Sequence, residues 1–77
     1  MTTFEWAKAF ASNLKAMMRE DEMSQSDLAQ ETGLSKATIT NYLTGERVPY
    51  LPAVIKISYA LDCDLADLID FGENIDD

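Results

Sequence analysis

Catalytic chemistry has few places to reside in this chain, because its 77 residues hold no histidine and one cysteine, Cys63. Cys63 stands between Asp62 and Asp64, whose negative charge disfavours the thiolate that a nucleophile or redox centre needs. A packed, inert thiol is the stronger reading, and a single cysteine excludes an internal disulfide. Asp62, Asp64 and Asp67 have the look of a carboxylate cluster. They lack the twelve-residue ligand pattern of a calcium loop, with its central glycine and terminal glutamate. Helix capping explains Asp64 and Asp67 better. There is no glycine-rich phosphate loop and no Cys/His/carboxylate set at metal-ligand spacing. The expectation is a protein that is not an enzyme and that holds neither metal nor cofactor. What remains is binding chemistry, and it is concentrated in residues 24–45, SQSDLAQETGLSKATITNYLTG, among hydroxyl, amide and ammonium side chains.

This stretch reads as two short helices joined by one tight turn. Residues 25–31 carry Leu28 and Ala29 on one face, and residues 36–43 carry Ile39, Tyr42 and Leu43. Gly33 lies between them, where a left-handed residue turns the chain and glycine adopts it without a steric penalty. Ala29, four residues earlier, is small enough to let the second helix cross the first closely. Ile39 and Tyr42 then hold the pair at a fixed angle. Such a unit offers the polar edge of its second helix outward, most commonly to the DNA major groove.

Flanking elements must hold that pair in place. Thr3 is the predicted N-cap of a first helix over residues 4–20, with Glu5 in its first turn. Trp6, Phe10, Leu14 and Met17 recur at helical spacing as a core stripe. Glu20, Asp21 and Glu22 form a solvated link, and Ser24 with Asp27 has capping-box spacing. Ser35 caps the third helix. Thr44, Gly45, Glu46, Arg47 and Pro49 make a turn-rich connection. Pro52 suits the first position of a fourth helix over 52–61, with Val54, Ile55, Ile57, Ala60 and Leu61 as its buried side. Asp64 caps a fifth helix bearing Leu65, Leu68 and Ile69. Phe71 and Gly72 end it, and residues 73–77 form a frayed tail. The prediction is an all-α domain of five helices over residues 1–71, with the helix-turn-helix at 24–44 and an acidic tail at 72–77.

Apolar residues make up 47% of the chain, which suits one small helical core rather than disorder. No apolar run approaches a membrane span and no signal peptide is visible, so a cytoplasmic protein is expected. The net charge of −8 is unusual for a nucleic-acid binder. It is unevenly spread: residues 62–77 hold seven acids and no base, whereas residues 1–61 hold seven acids and six bases.

Residues 14–69 resemble the phage repressor and Cro-like helix-turn-helix family, also called the xenobiotic-response-element family of regulators. The resemblance is carried by Met23, Ser24 and Gln25, by Leu28 and Ala29, by Gly33, Leu34 and Ser35, and by Ile39, Tyr42 and Gly45. Pro49, the apolar helix over 54–61 and the helix over 65–69 continue it in order. It implies a lambda-repressor-like five-helix DNA-binding domain whose helix 36–43 enters the major groove. It implies a phosphate contact and a buttress at Gln25, groove-facing positions at Lys36, Ala37, Thr40 and Asn41, and a phosphate-binding loop at Arg47. Chemically, lysine donates to guanine O6 and N7, Ala37 touches a thymine methyl, and Asn41 pairs with adenine or a phosphate. Ser35 and Thr38 suit phosphate beside the helix-start N–H groups. Blander readings stand beside these: Ser35 as a cap alone, Thr40 and Asn41 as solvated, Glu46 and Arg47 as a surface charge pair.

Many relatives pair an arginine of the first helix with a buried glutamate, at positions matching Met18 and Leu43. Joint replacement by apolar residues keeps such a fold intact, and it predicts that Met18 touches Leu43. With Lys36, Arg47 and one of Lys15 or Arg19 near DNA, a monomer neutralises about two or three phosphates, so two copies are needed for useful affinity. Phe71, with Leu68 or Ile69, is a candidate dimer contact, and closing the core is the alternative role for the same residues. The function implied is a bacterial or phage transcriptional regulator, a repressor binding double-stranded operator DNA as a homodimer. The alternative is an antitoxin-like or anti-repressor-like module that binds a protein partner through the acidic segment 62–77.

Overall fold

Side-chain caps decide where the chain enters its helices. The computed structural model describes residues 2–70, in which α1 runs Thr3–Glu20, α2 Gln25–Thr32, α3 Lys36–Thr44, α4 Leu51–Ala60 and α5 Leu65–Leu68, with no strand. The all-α, five-helix expectation is met. Phe71, Gly72 and residues 73–77 lie outside the described residues, and with them the expected terminators, the acidic tail and part of the expected dimer contact.

Glu5 N–H donates to Thr2 Oγ1 at 3.1 Å, and Thr2 N–H donates to Glu5 Oε1 at 2.9 Å. The N-cap of α1 is therefore Thr2 and not Thr3, because the reciprocal box needs the acid three residues on. Ser24 and Asp27 form the same box for α2, at 3.1 and 3.2 Å. α4 opens one residue earlier than predicted, behind Tyr50, and puts Pro52 at its second position. A missing N–H costs nothing there either, since the first helical N–H groups have no intrahelical acceptor.

α2 closes on Gly33, left-handed at φ 79°, whose N–H donates to Ala29 O. Thr32 extends the helix by one residue over the prediction. Its buried hydroxyl donates to Leu28 O at 2.8 Å and accepts the Leu34 N–H at 3.1 Å, so it stitches both sides of the turn. A Cβ on Gly33 would meet nothing within 4 Å. Gly33→Ala is thus expected to cost only the left-handed strain, about 1–2 kcal/mol, read as a shifted urea midpoint. A neutral change would show the turn to be relaxed by other means.

Phe10, Leu14, Leu28, Ile39, Ile57 and Leu68 are fully buried, joined by Met18, Tyr42, Ala53, Val54 and Leu61 in one cluster. α3 packs on α1 and α2, α4 on α2 and α5, and α5 closes back on α1. Because α1 serves both α3 and α5, its buried arc is wider than one stripe. Ala7, Ala11 and Met18 turn inward, while Trp6 and Met17 stay half-buried. Met18 and Leu43 meet the same apolar cluster, one within it and one packed against it. On α4 the inner arc is Ala53, Val54, Ile57 and Ser58, followed by Leu61. Ile55, predicted buried, points away from that arc and is exposed, and Ala60 is half-buried. α5 stops at Leu68, short of the predicted terminators. There Asn13 Nδ2 donates to Leu68 O and to Asp70 O, both at 2.8 Å. A side chain of α1 thereby satisfies carbonyls that the end of α5 leaves without an intrahelical donor.

Candidate nucleic-acid interface

Ile39 and Tyr42 anchor α3 by its inner side, and the helical repeat sends the other side outward. Lys36, Ala37 and Thr40 are exposed, and Asn41 and Thr38 are half-buried at the borders of that arc. Ser35 is the N-cap: its Oγ accepts the Thr38 N–H at 3.0 Å and donates to Thr38 Oγ1 at 2.8 Å. The cap uses Ser35 on both counts and leaves the Thr38 hydroxyl proton for an outside acceptor. The N–H groups of Lys36 and Ala37 also lack intrahelical partners, so the start of α3 is suited to a phosphate oxygen.

Gln25 begins α2, half-buried, and its amide lies 2.7 Å from Thr40 Oγ1, which is also 3.0 Å from Lys36 O. One hydroxyl proton cannot serve both oxygens. The shorter contact takes it, so the Thr40 hydroxyl donates to Gln25 Oε1, and Lys36 O is its alternative acceptor. Gln25 thus braces α3 through Oε1, and its Nε2 amide group is left to donate outward. Of the predicted set, Gln25, Ser35, Lys36, Ala37, Thr38, Thr40 and Asn41 are gathered at the outer side of the α2–α3 pair.

Arg47 stands beyond Gly45, exposed and without an ion pair to any described residue, so the Glu46–Arg47 charge pair does not form. Its charge reaches Tyr42, where it opposes the upward push on the phenol from burial and from Tyr50. Gly45 is left-handed at φ 79°, and a Cβ there would sit 3.3 Å from Lys8 Cγ, so this turn lies directly on α1. Lys8, Ser12 and Lys15 border a shallow groove with Leu43 and Thr44. Two features escaped the sequence reading. Thr44 follows Lys36 and Thr40 at intervals of four, a signal that was available. Lys8 joins the end of α3 only through the fold, and nothing local marks it.

Cys63 is half-buried and free. Burial, and then the charges of Asp67, Asp21, Asp64 and Asp62, push its thiol up. The unfolded chain therefore releases this proton first. The contribution to stability is whole below the ordinary value of 9.0 and is lost as pH rises past it, and Tyr42 repeats this from 10.0. Iodoacetamide at pH 8 is expected to label Cys63 far more slowly in the folded chain than in urea. Equal rates would contradict the shielding. Asp64 is the N-cap of α5, and its N–H donates to Asp67 Oδ2 at 3.2 Å, so both acids serve the helix start.

A braced helix with an outward polar arc, held across a glycine turn by a shorter partner, defines a helix-turn-helix module. The chain belongs to the Cro/C1-type HTH DNA-binding domain family, whose model matches residues 13–73. That family is a DNA-binding one, not an enzyme family. Among solved structures, an HTH_3 family transcriptional regulator from Vibrio cholerae is similar, with 26% identity and a TM-score of 0.85. The match covers 90% of this chain and 39% of that one, so this chain spans well under half of that regulator. The restriction-modification controller protein C.AhdI from Aeromonas hydrophila is similar too, with 26% identity and a TM-score of 0.78 over 80% of this chain and 94% of its own. No curated protein matches the chain significantly. Among the described residues, no helix is long and apolar enough to cross a membrane.

Proposed function

We propose that the chain is a sequence-specific transcriptional regulator that represses by occupying operator DNA as a homodimer, in a bacterial or prophage setting. The observation that carries this reading is the outward arc of α3, with Lys36, Ala37, Thr40 and Asn41 on the side opposite Ile39 and Tyr42. Lys36 and Asn41 read base edges, Ala37 meets a thymine methyl, and Gln25, Ser35, Thr38 and Arg47 hold phosphates. Lys36, Arg47 and one lysine of the α1 groove neutralise about three phosphates per copy. The logarithmic salt slope is then about −5 for two copies, at roughly −0.9 per phosphate.

Selection from random duplexes at low and moderate salt tests this. An enriched two-fold site bound with that slope is expected. No enriched site and no binding at low salt would sink it. That outcome would favour the antitoxin-like or anti-repressor-like reading, which the exposed Asp62, Asp64, Asp67 and Asp70 support by offering a neutral or basic protein an acidic surface.

A further inference from the structure

We infer that the outward face of α4 is the surface on which a second copy of this chain docks, antiparallel about a two-fold axis at Ile55. The inference rests on the homodimer reading above and names its surface. Leu51, Ile55 and Tyr59 are 60%, 37% and 82% exposed and recur every four residues, forming one row along the helix. Pro52 and Lys56 flank the row, and Val48 and Tyr50 add exposed apolar surface beyond the N-terminal end. The opposite side is already apolar and buried through Ala53, Val54 and Ile57. A helix apolar on both sides belongs in an interior, and here one side is open.

The charges at its two ends indicate what covers it. Tyr50 provides no side-chain cap, the first turn has no acid, and the last turn has no base. Just past the C-terminal end stand Asp62 and Asp64, both exposed. Each end is thus poorly matched to the dipole of its own helix, which favours anions at the start and cations at the finish. Laid antiparallel on itself, each helix brings Asp62 and Asp64 toward the uncapped start of the other. The row is symmetric under the same operation: Leu51 meets the partner's Tyr59, and Ile55 meets the partner's Ile55. An isologous patch needs this self-complementarity. α4 packs on α2 and α5 and not on α3, so pairing here leaves the outward arc of α3 open. Of the contact expected at Phe71 with Leu68 or Ile69, Leu68 is fully buried in its own core, Ile69 is 40% exposed, and Phe71 lies outside the described residues.

Analytical ultracentrifugation of the full chain across a concentration series is the first test. The wild type should form a dimer that dissociates on dilution, and Ile55→Asp and Tyr59→Asp should be monomers with unchanged circular dichroism. In a Cys63→Ser background, Ile55→Cys should form a disulfide-linked dimer under mild oxidation, and Glu20→Cys on the exposed end of α1 should not. On DNA, Ile55→Asp should keep wild-type affinity for a single half-site and lose about 100-fold or more on the two-fold site. A wild type that stays monomeric, or an Ile55→Asp chain that still pairs, overturns the surface. Loss of half-site binding by the wild type would instead overturn the regulator reading and leave the ultracentrifugation result standing.

Discussion

Replacing Phe10 with alanine is expected to remove about 3–5 kcal/mol of stability, measured by urea unfolding. At roughly 0.05–0.15 kcal/mol per residue, a domain of this size holds about 4–12 kcal/mol in all, so the substitution removes a large share of it. Phe10 is fully buried, lies edge-on to Tyr42 with ring centroids 6.1 Å apart, and stacks on Trp6 at 6.4 Å. The Tyr42 contact carries the effect to the interface, because Tyr42 is one of the two side chains that seat α3. Trp6 is the single tryptophan and its fluorescence reports the change directly. Phe10→Leu keeps most of the volume and is expected to lose much less. Equal losses for the two variants would mean that ring packing contributes nothing.

Lys36→Ala should have the largest effect on DNA binding that a single substitution gives without unfolding the chain. Lys36 is exposed at the start of α3, and its ammonium group makes no hydrogen bond to a described residue. A base contact there is worth about 1–3 kcal/mol, and a two-fold complex loses it twice, about 2–6 kcal/mol in total. Fluorescence anisotropy on duplexes carrying each base pair at the contacted position distinguishes two mechanisms. Relaxed preference at that position assigns Lys36 to a base. A uniform loss across all duplexes, with a shallower salt slope, assigns it to a phosphate.

Much of this architecture could be read from local chemistry. Gly33 between two amphipathic segments and the Ser24–Asp27 box are local features that the structure has in their predicted roles, and Ala29 packs half-buried against the core. The choice between Thr2 and Thr3 was settled by which one holds the acid at its third residue. The misses have a common cause in tertiary contacts. Met18 is inside and Met17 half-buried because α1 packs on both α3 and α5. Ile55 reads as core in any apolar count of α4, and only the position of α2 and α5 shows that it faces outward. For the interface, the arc of α3 follows from helical spacing, whereas the approach of Lys8 to Gly45 joins residues 37 positions apart and leaves no trace in either neighbourhood.

The forked amide of Asn13 has a consequence for the order in which the domain assembles. Its two acceptors, Leu68 O and Asp70 O, are 55 and 57 residues downstream. During synthesis the α2–α3 pair leaves the ribosome well before those carbonyls do, while Asn13 and the part of α1 that packs on α5 wait for that helix. Such long-range closure is slow to form compared with local contacts. The nascent chain can therefore pair α2 with α3 early, but it closes the ring of helices only when the end of α5 returns to α1.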